Sequence, residues 1–400
     1  MLNKIAVIKE IAFSEKRVAL TPPNVEKLVK AGLAVMVQSN AGNAASFSDE
    51  QYQKAGAIIK TDAAFIVNWA DVVLQVNSAS LEMPDAVKLK PKQWLIGMMD
   101  PLSKPQLIRS LAKQDITAIA MEMIPRISRA QSMDTLSSMA TIAGYKSVLL
   151  GASAMDKIFP MLMTAAGNLR PARVLIMGVG VAGLQAAATA KRMGGVVEAY
   201  DVRPAAREQI LSVGAKPIEL ELDTTQAEGA NGYAKEQGDE FLKKQREQMT
   251  KVVAEQDLII TTAAIPGGKS PILVTEHMVK QMKSGAVIVD LAAERGGNCD
   301  LTQLGKTIIA HDVTIIGPDN IVSSVATHAS QLYGKNLEHF LLHLYQKEQG
   351  LTLDLTDEII EQTLLTHHKE ILNERVKSLI EVSILTEQKL SIESSKQERS

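Results

Sequence analysis

Disulfide chemistry is the first thing this chain lacks. Its 400 residues hold one cysteine, Cys299, so no bridge can close within the chain and a reducing compartment, the cytoplasm, is the expected home. Surplus charge is missing too. A formal net charge of -2 argues against a nucleic-acid partner, which needs an excess of Lys and Arg to neutralise phosphates. Nowhere do roughly 18 apolar residues follow one another, so the chain is not expected to cross a membrane. Its start, MLNKIAVIKE, alternates like a first strand and has no signal-peptide core. Nucleophile signatures of the GxSxG and CxxC kinds are absent. The seven histidines, His277, His311, His328, His339, His343, His367 and His368, form no zinc signature, and no metal site is expected. His339 and His343, four residues apart, read as a wet helix face.

What remains is ample apolar material, 46% against 22% charged residues, enough for two or three cores. From Leu2 to about Pro125, helical patterns such as NVEKLVKAG alternate with the short apolar runs AVMVQ, ADVVLQV, WLIGMM and ITAIAMEMI. A second series begins at Ala172 with ARVLIMG and continues through VVEAYD, DLIITTA, AVIVDLA and VTIIG. The expected fold class is α/β, with two Rossmann-like doubly wound domains and mostly parallel sheets. Residues 1–136 with 325–385 are expected to form the first domain, 137–324 the Rossmann domain, and 386–400 a frayed tail. Gln131 to Ala166 reads as mostly helix. The polar stretch from Glu221 to Lys251 reads as an exposed loop followed by a charged helix, and a long amphipathic helix is expected through Ala326 to Tyr345.

VLIMGVGVAG ends an apolar run with Gly178, Gly180 and Gly183. Alone, such spacing also marks ordinary tight turns. Here it closes a strand and opens a helix. Gly178 permits the turn, Gly180 lets a pyrophosphate reach backbone, and Gly183 lets helix and strand pack closely, with the helix N-terminus facing the phosphates. Asp201 ends the next strand, where a carboxylate accepts the adenosine ribose hydroxyls. Arg203, two residues on, is compatible with NADP, but the Asp favours NAD(H).

A hydroxy-acid or amino-acid dehydrogenase needs a proton carrier besides the cofactor, and none is evident. Instead, PRISRAQSMDTLSSMA crowds two arginines, a glutamine, an aspartate and three serines between Arg126 and Ser137. These groups suit an amide and a phosphate. They equally suit a helix start capped by Asp134 or Ser132.

RISRAQSMD, GVGVAGLQA with DVRPAA downstream, the GYAKE loop and DLAAERGGNC together resemble the alpha subunits of proton-translocating NAD(P) transhydrogenase, in their soluble NAD(H)-binding component. The similarity runs from RVALTPPNVEKL to LNERVKSLI. It implies direct hydride transfer between NAD(H) here and NADP(H) on a separate subunit, coupled to proton movement through a membrane-spanning proton-channel subunit. No acid or base is then needed. It implies that Gln131 sits where the two nicotinamides meet, that Asp134 and Ser137 fix the nicotinamide end, and that Arg126 touches the cofactor. Gly178, Gly180, Val181, Ala182 and Gly183 would hold the pyrophosphate, and Asp201, Val202 and Arg203 the adenosine end. Gly232 and Tyr233 would tip a mobile loop, and Ala264 would line the cleft. A homodimer is implied, to whose interface the helix through Ala326 to Tyr345 could contribute, as is attachment to the inner membrane through partners.

The alternatives are an alanine dehydrogenase-like enzyme, from the same wider family, and a non-catalytic NAD(H) sensor. Arg17 is kept from the former's substrate site, but its lysine is Gln75 here, its histidine region reads Gly97–Met98, and its DQGG is ERGG. Arg17 is expected to pair with a local carboxylate.

Overall fold

The computed structural model describes residues 2–12, 14–220, 239–265 and 267–381, with residues 79 and 239–242 described by backbone alone. Residues up to Ser138 and those from Ala326 onward form one compact unit, and Met139–Val325 the other. The boundary at 138/139 falls inside the helix Thr135–Ala154.

Near-continuous apolar runs become strands buried on both faces, as a parallel sheet between helices requires. In the first unit the sheet runs Ile58–Lys60, Ala34–Gln38, Lys4–Val7, Val72–Asn77, Trp94–Met98, Thr117–Ala120, all parallel. Leu364–His367 and Glu370–Ile371, from the far end of the chain, add an antiparallel edge. Strand order reverses between Lys4–Val7 and Val72–Asn77, the switch point of a doubly wound sheet. The helix Pro22–Ala31 starts on Thr21 with prolines in its first turn and stops at Gly32, whose φ of 107° suits glycine. The helix Ala326–Leu344 buries Tyr333, Leu337, Phe340 and Leu341 on one face, the 3.6-residue period of its sequence.

The second sheet runs Lys216–Pro217, Val196–Tyr200, Arg173–Met177, Leu258–Thr261, Val287–Asp290, Val313–Gly317, with Lys306–Ala310 antiparallel at the edge. Its switch point lies between Arg173–Met177 and Leu258–Thr261. Alternate residues serve opposite faces: Val174 and Ile176 pack with Ala186, Ala187 and Ala190 of the helix Val181–Arg192, whereas Leu175 and Met177 pack with Met249 and Val253. A side chain at Gly144 would meet the Ala182 carbonyl oxygen at 2.1 Å, so the helix Thr135–Ala154 touches the nucleotide helix at backbone distance.

The two doubly wound sheets agree with the sequence reading, as does the charged helix, which runs Asp239–Ala254. The reading of Gln131 to Ala166 as mostly helix needs correction. The helix stops at Ala154, and Leu162–Thr164 pairs with Gly167–Leu169 as a hairpin. Pro160 has no N–H to continue a helix, and Gly167, with φ of 136°, turns the chain.

Candidate dinucleotide site and polar loop

The glycine turn sits at the switch point of the second sheet. Gly178 follows the strand Arg173–Met177 with φ of 93°, donates its N–H to the Tyr200 carbonyl at 2.9 Å and accepts from Thr262 Oγ1 at 2.9 Å. A Cβ at Gly183 would lie 1.9 Å from the Gly178 oxygen, so only glycine lets the helix close onto the turn. A Cβ at Gly180 would meet nothing within 4 Å. Open space therefore fronts the N-terminus of the helix Val181–Arg192, with Val181 exposed and Ala182 half-buried beside it. Its first-turn N–H groups have no intrahelical acceptor and carry the positive end of the dipole, a fit for a pyrophosphate.

Asp201 stands at the end of Val196–Tyr200 and is tied to that turn. Its Oδ2 accepts from Val179 N at 2.7 Å and its Oδ1 from Arg203 N at 2.9 Å. The Arg203 guanidinium completes the arrangement, with Nε on Oδ1 and Nη2 on Oδ2, each at 2.9 Å, and Nη2 also on the Val179 carbonyl at 3.0 Å. Arg203 thus faces the carboxylate, a pairing that two residues of spacing do not reveal. A cleft of about 310 Å³ opens here, lined by Asp201, Val202, Arg203, Ile218 and Leu220 among others.

Ala264 is exposed just beyond the strand Leu258–Thr261. Its segment is held by Asn298, which accepts from Ala263 N at 3.0 Å and donates to the Ala263 carbonyl at 2.9 Å, as a neighbouring strand would. Asn298 in turn hangs from Asp290, a fully buried carboxylate that also accepts from Thr261, Ala292, Cys299 and Thr302. Burial raises the Cys299 thiol to about 11, leaving it inert at neutral pH.

In the first unit the polar loop forms a 3-10 turn, Ser128–Met133, ahead of the helix Thr135–Ala154. Asp134 caps that helix, accepting from Ser137 N at 2.9 Å and Ser137 Oγ at 2.5 Å. The cap reading is therefore realised, and it brings together two of the residues implied for the nicotinamide. Arg126 and Gln131 are both exposed. Arg129 pairs with Asp357 at 2.5 Å, and this bond holds the Asp357 carboxyl well below its usual range. His343 also bonds Asp357 and His339 contacts the Ser132 carbonyl, so the supposed wet face is a pair of tethers. Gly232 and Tyr233 lie outside the described residues.

The switch point of the first sheet is plugged from within. Glu10 accepts from Val76 N at 2.6 Å and Asn77 N at 3.3 Å. Arg17 is buried in a bidentate pair with Glu15, at 2.7 and 2.6 Å, the local pairing anticipated for it. Tyr333 donates to the Gln75 carbonyl at 2.8 Å, and Gln75 Oε1 finds no partner among the described residues. A Cβ at Gly97 would sit 2.5 Å from Ser78 Oγ and 2.6 Å from the Gln75 carbonyl oxygen. No imidazole fits there.

Comparison with known proteins now decides the lineage. The model of the alanine dehydrogenase/PNT N-terminal domain matches residues 6–143, and that of the C-terminal domain residues 147–374. The chain belongs to the alanine dehydrogenase/PNT family. Within that family it is 47% identical over 375 residues to the first of the separate chains of NAD(P) transhydrogenase subunit alpha in Rhodospirillum rubrum, covering 92% of this chain and 98% of that protein. A crystal structure of transhydrogenase from Sinorhizobium meliloti superimposes with a TM-score of 0.82 at 41% identity, over 92% of this chain and 99% of that one. Alanine dehydrogenase of Bacillus subtilis is more distant, at 32% over 77% of this chain and 74% of that protein. The resemblance drawn from RISRAQSMD and its companion motifs thus points to the right family members. Among the described residues no helix is long and apolar enough to cross a membrane.

Proposed function

We propose that this chain is the NAD(H)-binding subunit of a proton-translocating NAD(P) transhydrogenase, passing hydride directly to or from NADP(H) held by a separate subunit. A membrane-spanning proton-channel subunit would carry the coupled protons and keep the chain at the inner membrane. The observation that carries this reading over alanine dehydrogenase is the packing at Gly97. An amino-acid dehydrogenase needs a proton relay beside its substrate, and Ser78 and Gln75 close that position to any side chain.

When bound, NAD(H) supplies the hydride donor or acceptor. The chain's own residues bind and orient. The open N-terminus of Val181–Arg192, fronted by Gly180, takes the pyrophosphate, and Asp201 takes the adenosine ribose. The Asp201 oxygens already accept four hydrogen bonds, about the capacity of a carboxylate. The two from the Arg203 side chain are the ones free to yield when ribose hydroxyls arrive. Asp134 and Ser137 fix the nicotinamide end, with Arg126 and Gln131 presenting exposed polar groups for the cofactor and for the facing ring. The rate then comes from proximity and orientation rather than from proton transfer.

A homodimer is supported by apolar surface left uncovered. Met161, Met163 and Leu169, in and beside the hairpin of residues 162–169, are 60%, 72% and 47% exposed, a patch that marks an interaction site. The helix Ala326–Leu344, by contrast, uses its apolar face within its own unit.

Hydride transfer from NADH to NADP+ tests the reading, with the chain alone and with a transhydrogenase NADP(H)-binding component added. Activity is expected only in the mixture, and Gln131→Ala should slow it by at least about tenfold while NADH still binds, the pattern of an interaction made only in the transition state. Alanine oxidation by the chain alone would sink the proposal. Tight NADH binding with no transfer in the mixture would favour a sensor.

A further inference from the structure

We infer that Asp357, with Asn336 and His339, positions the Gln131 turn for hydride transfer, acting through the backbone on either side of that residue. The inference rests on the reading of Gln131 above. Gln131 stands in the turn Ser128–Met133 with its side chain exposed, so nothing packed around the amide fixes where it points. Its neighbours are fixed instead. Ala130 is fully buried and Met133 nearly so, at 0% and 6% exposure. On the N-terminal side, Arg129 Nη2 donates to Asp357 Oδ1 at 2.5 Å. On the C-terminal side, the Ser132 carbonyl accepts from Asn336 Nδ2 at 2.8 Å and meets His339 Nδ1 at 3.2 Å.

Asp357 suits this role because it is itself held three ways. It caps the helix Glu358–Thr363 by accepting from Ile359 N at 2.9 Å, bonds His343 Nε2 through Oδ2 at 2.6 Å, and pairs with Arg129. Asn336, His339 and His343 all project from the helix Ala326–Leu344, whose apolar face is buried in the same unit. Both anchors of the turn therefore refer to one rigid body. Arg129 is half exposed, and such an ion pair adds little stability. Its effect is to remove freedom from a short turn, and positioning of that kind governs a reaction that depends on the alignment of two rings.

The test uses the full chain mixed with a transhydrogenase NADP(H)-binding component, with NADH and NADP+ as substrates. Asp357→Asn keeps a capping oxygen but loses the charge; Arg129→Gln, on an exposed side chain, removes the other end without threatening the fold. Each variant is made with Gln131 present and in a Gln131→Ala background. Both should lower kcat on the order of tenfold, since a misplacement of 1 Å can cost roughly a hundredfold. NADH affinity of the chain should stay within about twofold, the mark of a loss confined to the transition state. In the Gln131→Ala background neither should have a further effect. An unchanged kcat overturns the inference, as does a loss that persists in full without Gln131, or one matched by an equal loss of NADH affinity. If Gln131→Ala itself transfers hydride at the full rate, the reading of the site fails and the inference falls with it.

Discussion

Gly180 and Gly183 belong to the same motif but have different tasks, and the difference is measurable. Gly183 is a packing residue: a Cβ there would collide with the Gly178 carbonyl at 1.9 Å. Gly180 faces open space. Gly183→Ala should therefore lower the unfolding free energy by about 1 to 3 kcal/mol, the usual cost of overpacking, seen as a lower denaturation midpoint. Gly180→Ala should leave the midpoint unchanged and weaken NADH binding by about tenfold or more, because its methyl occupies the approach to the helix N-terminus where the pyrophosphate binds. Fluorescence titration with NADH separates the two. Equal loss of stability in both variants would refute the division.

At the scale of elements, the first sheet and the helices on it meet at buried carboxyls. Burial pushes Glu10 up to about 8 and Glu122 up to about 7. Glu122 accepts from Met99 N and Asp100 N through Oε1, while Oε2 has no partner among the described residues, an arrangement that suits a protonated acid. The sign follows from linkage. An acid with a raised native pKa binds more protons folded than unfolded, so the stability it contributes is present below the unfolded value, near 4.5, and is lost as pH rises through the native value. Unfolding by denaturant should show stability falling between about pH 5 and 8, by up to ~1.4 kcal/mol per pH unit for each such proton. Glu10→Gln should flatten that slope. A stability that instead rises through this window, or an unaltered slope in the variant, would contradict the assignment.

For the whole molecule, the exposed hairpin matters most. If it lies between two copies of the chain, a charge there must be desolvated or drive the copies apart. Met163→Glu should turn a dimer into a monomer in sedimentation measurements while leaving NADH binding intact, since Met163 is 72% exposed and carries no part of the core. A variant that remains dimeric would place the interface elsewhere.

Much of this was legible in the residues alone. Apolar runs of four to six residues alternating with helical periods dictate two doubly wound sheets, because strands buried on both faces need no polar alternation. The spacing of Gly178, Gly180, Gly183 and Asp201 locates the nucleotide turn through purely local geometry. Contacts between residues far apart in sequence were not legible. Nothing in the spacing of His343, Asp357 and Arg129 announces that they converge, and a two-residue interval does not say that Arg203 folds back onto Asp201. Nor does a glycine at position 97 reveal that Ser78 and the Gln75 backbone leave no room for a side chain. The hairpin after Ala154 was hidden for a related reason: MLMTAAGNL is apolar enough for a helix, and the turn at Gly167 decides otherwise. Sequence determined the elements and the cofactor turn because those depend on neighbours along the chain. Tertiary structure decided which polar groups are paired, which are plugged and which stay open, because burial and hydrogen bonding depend on what the fold brings alongside.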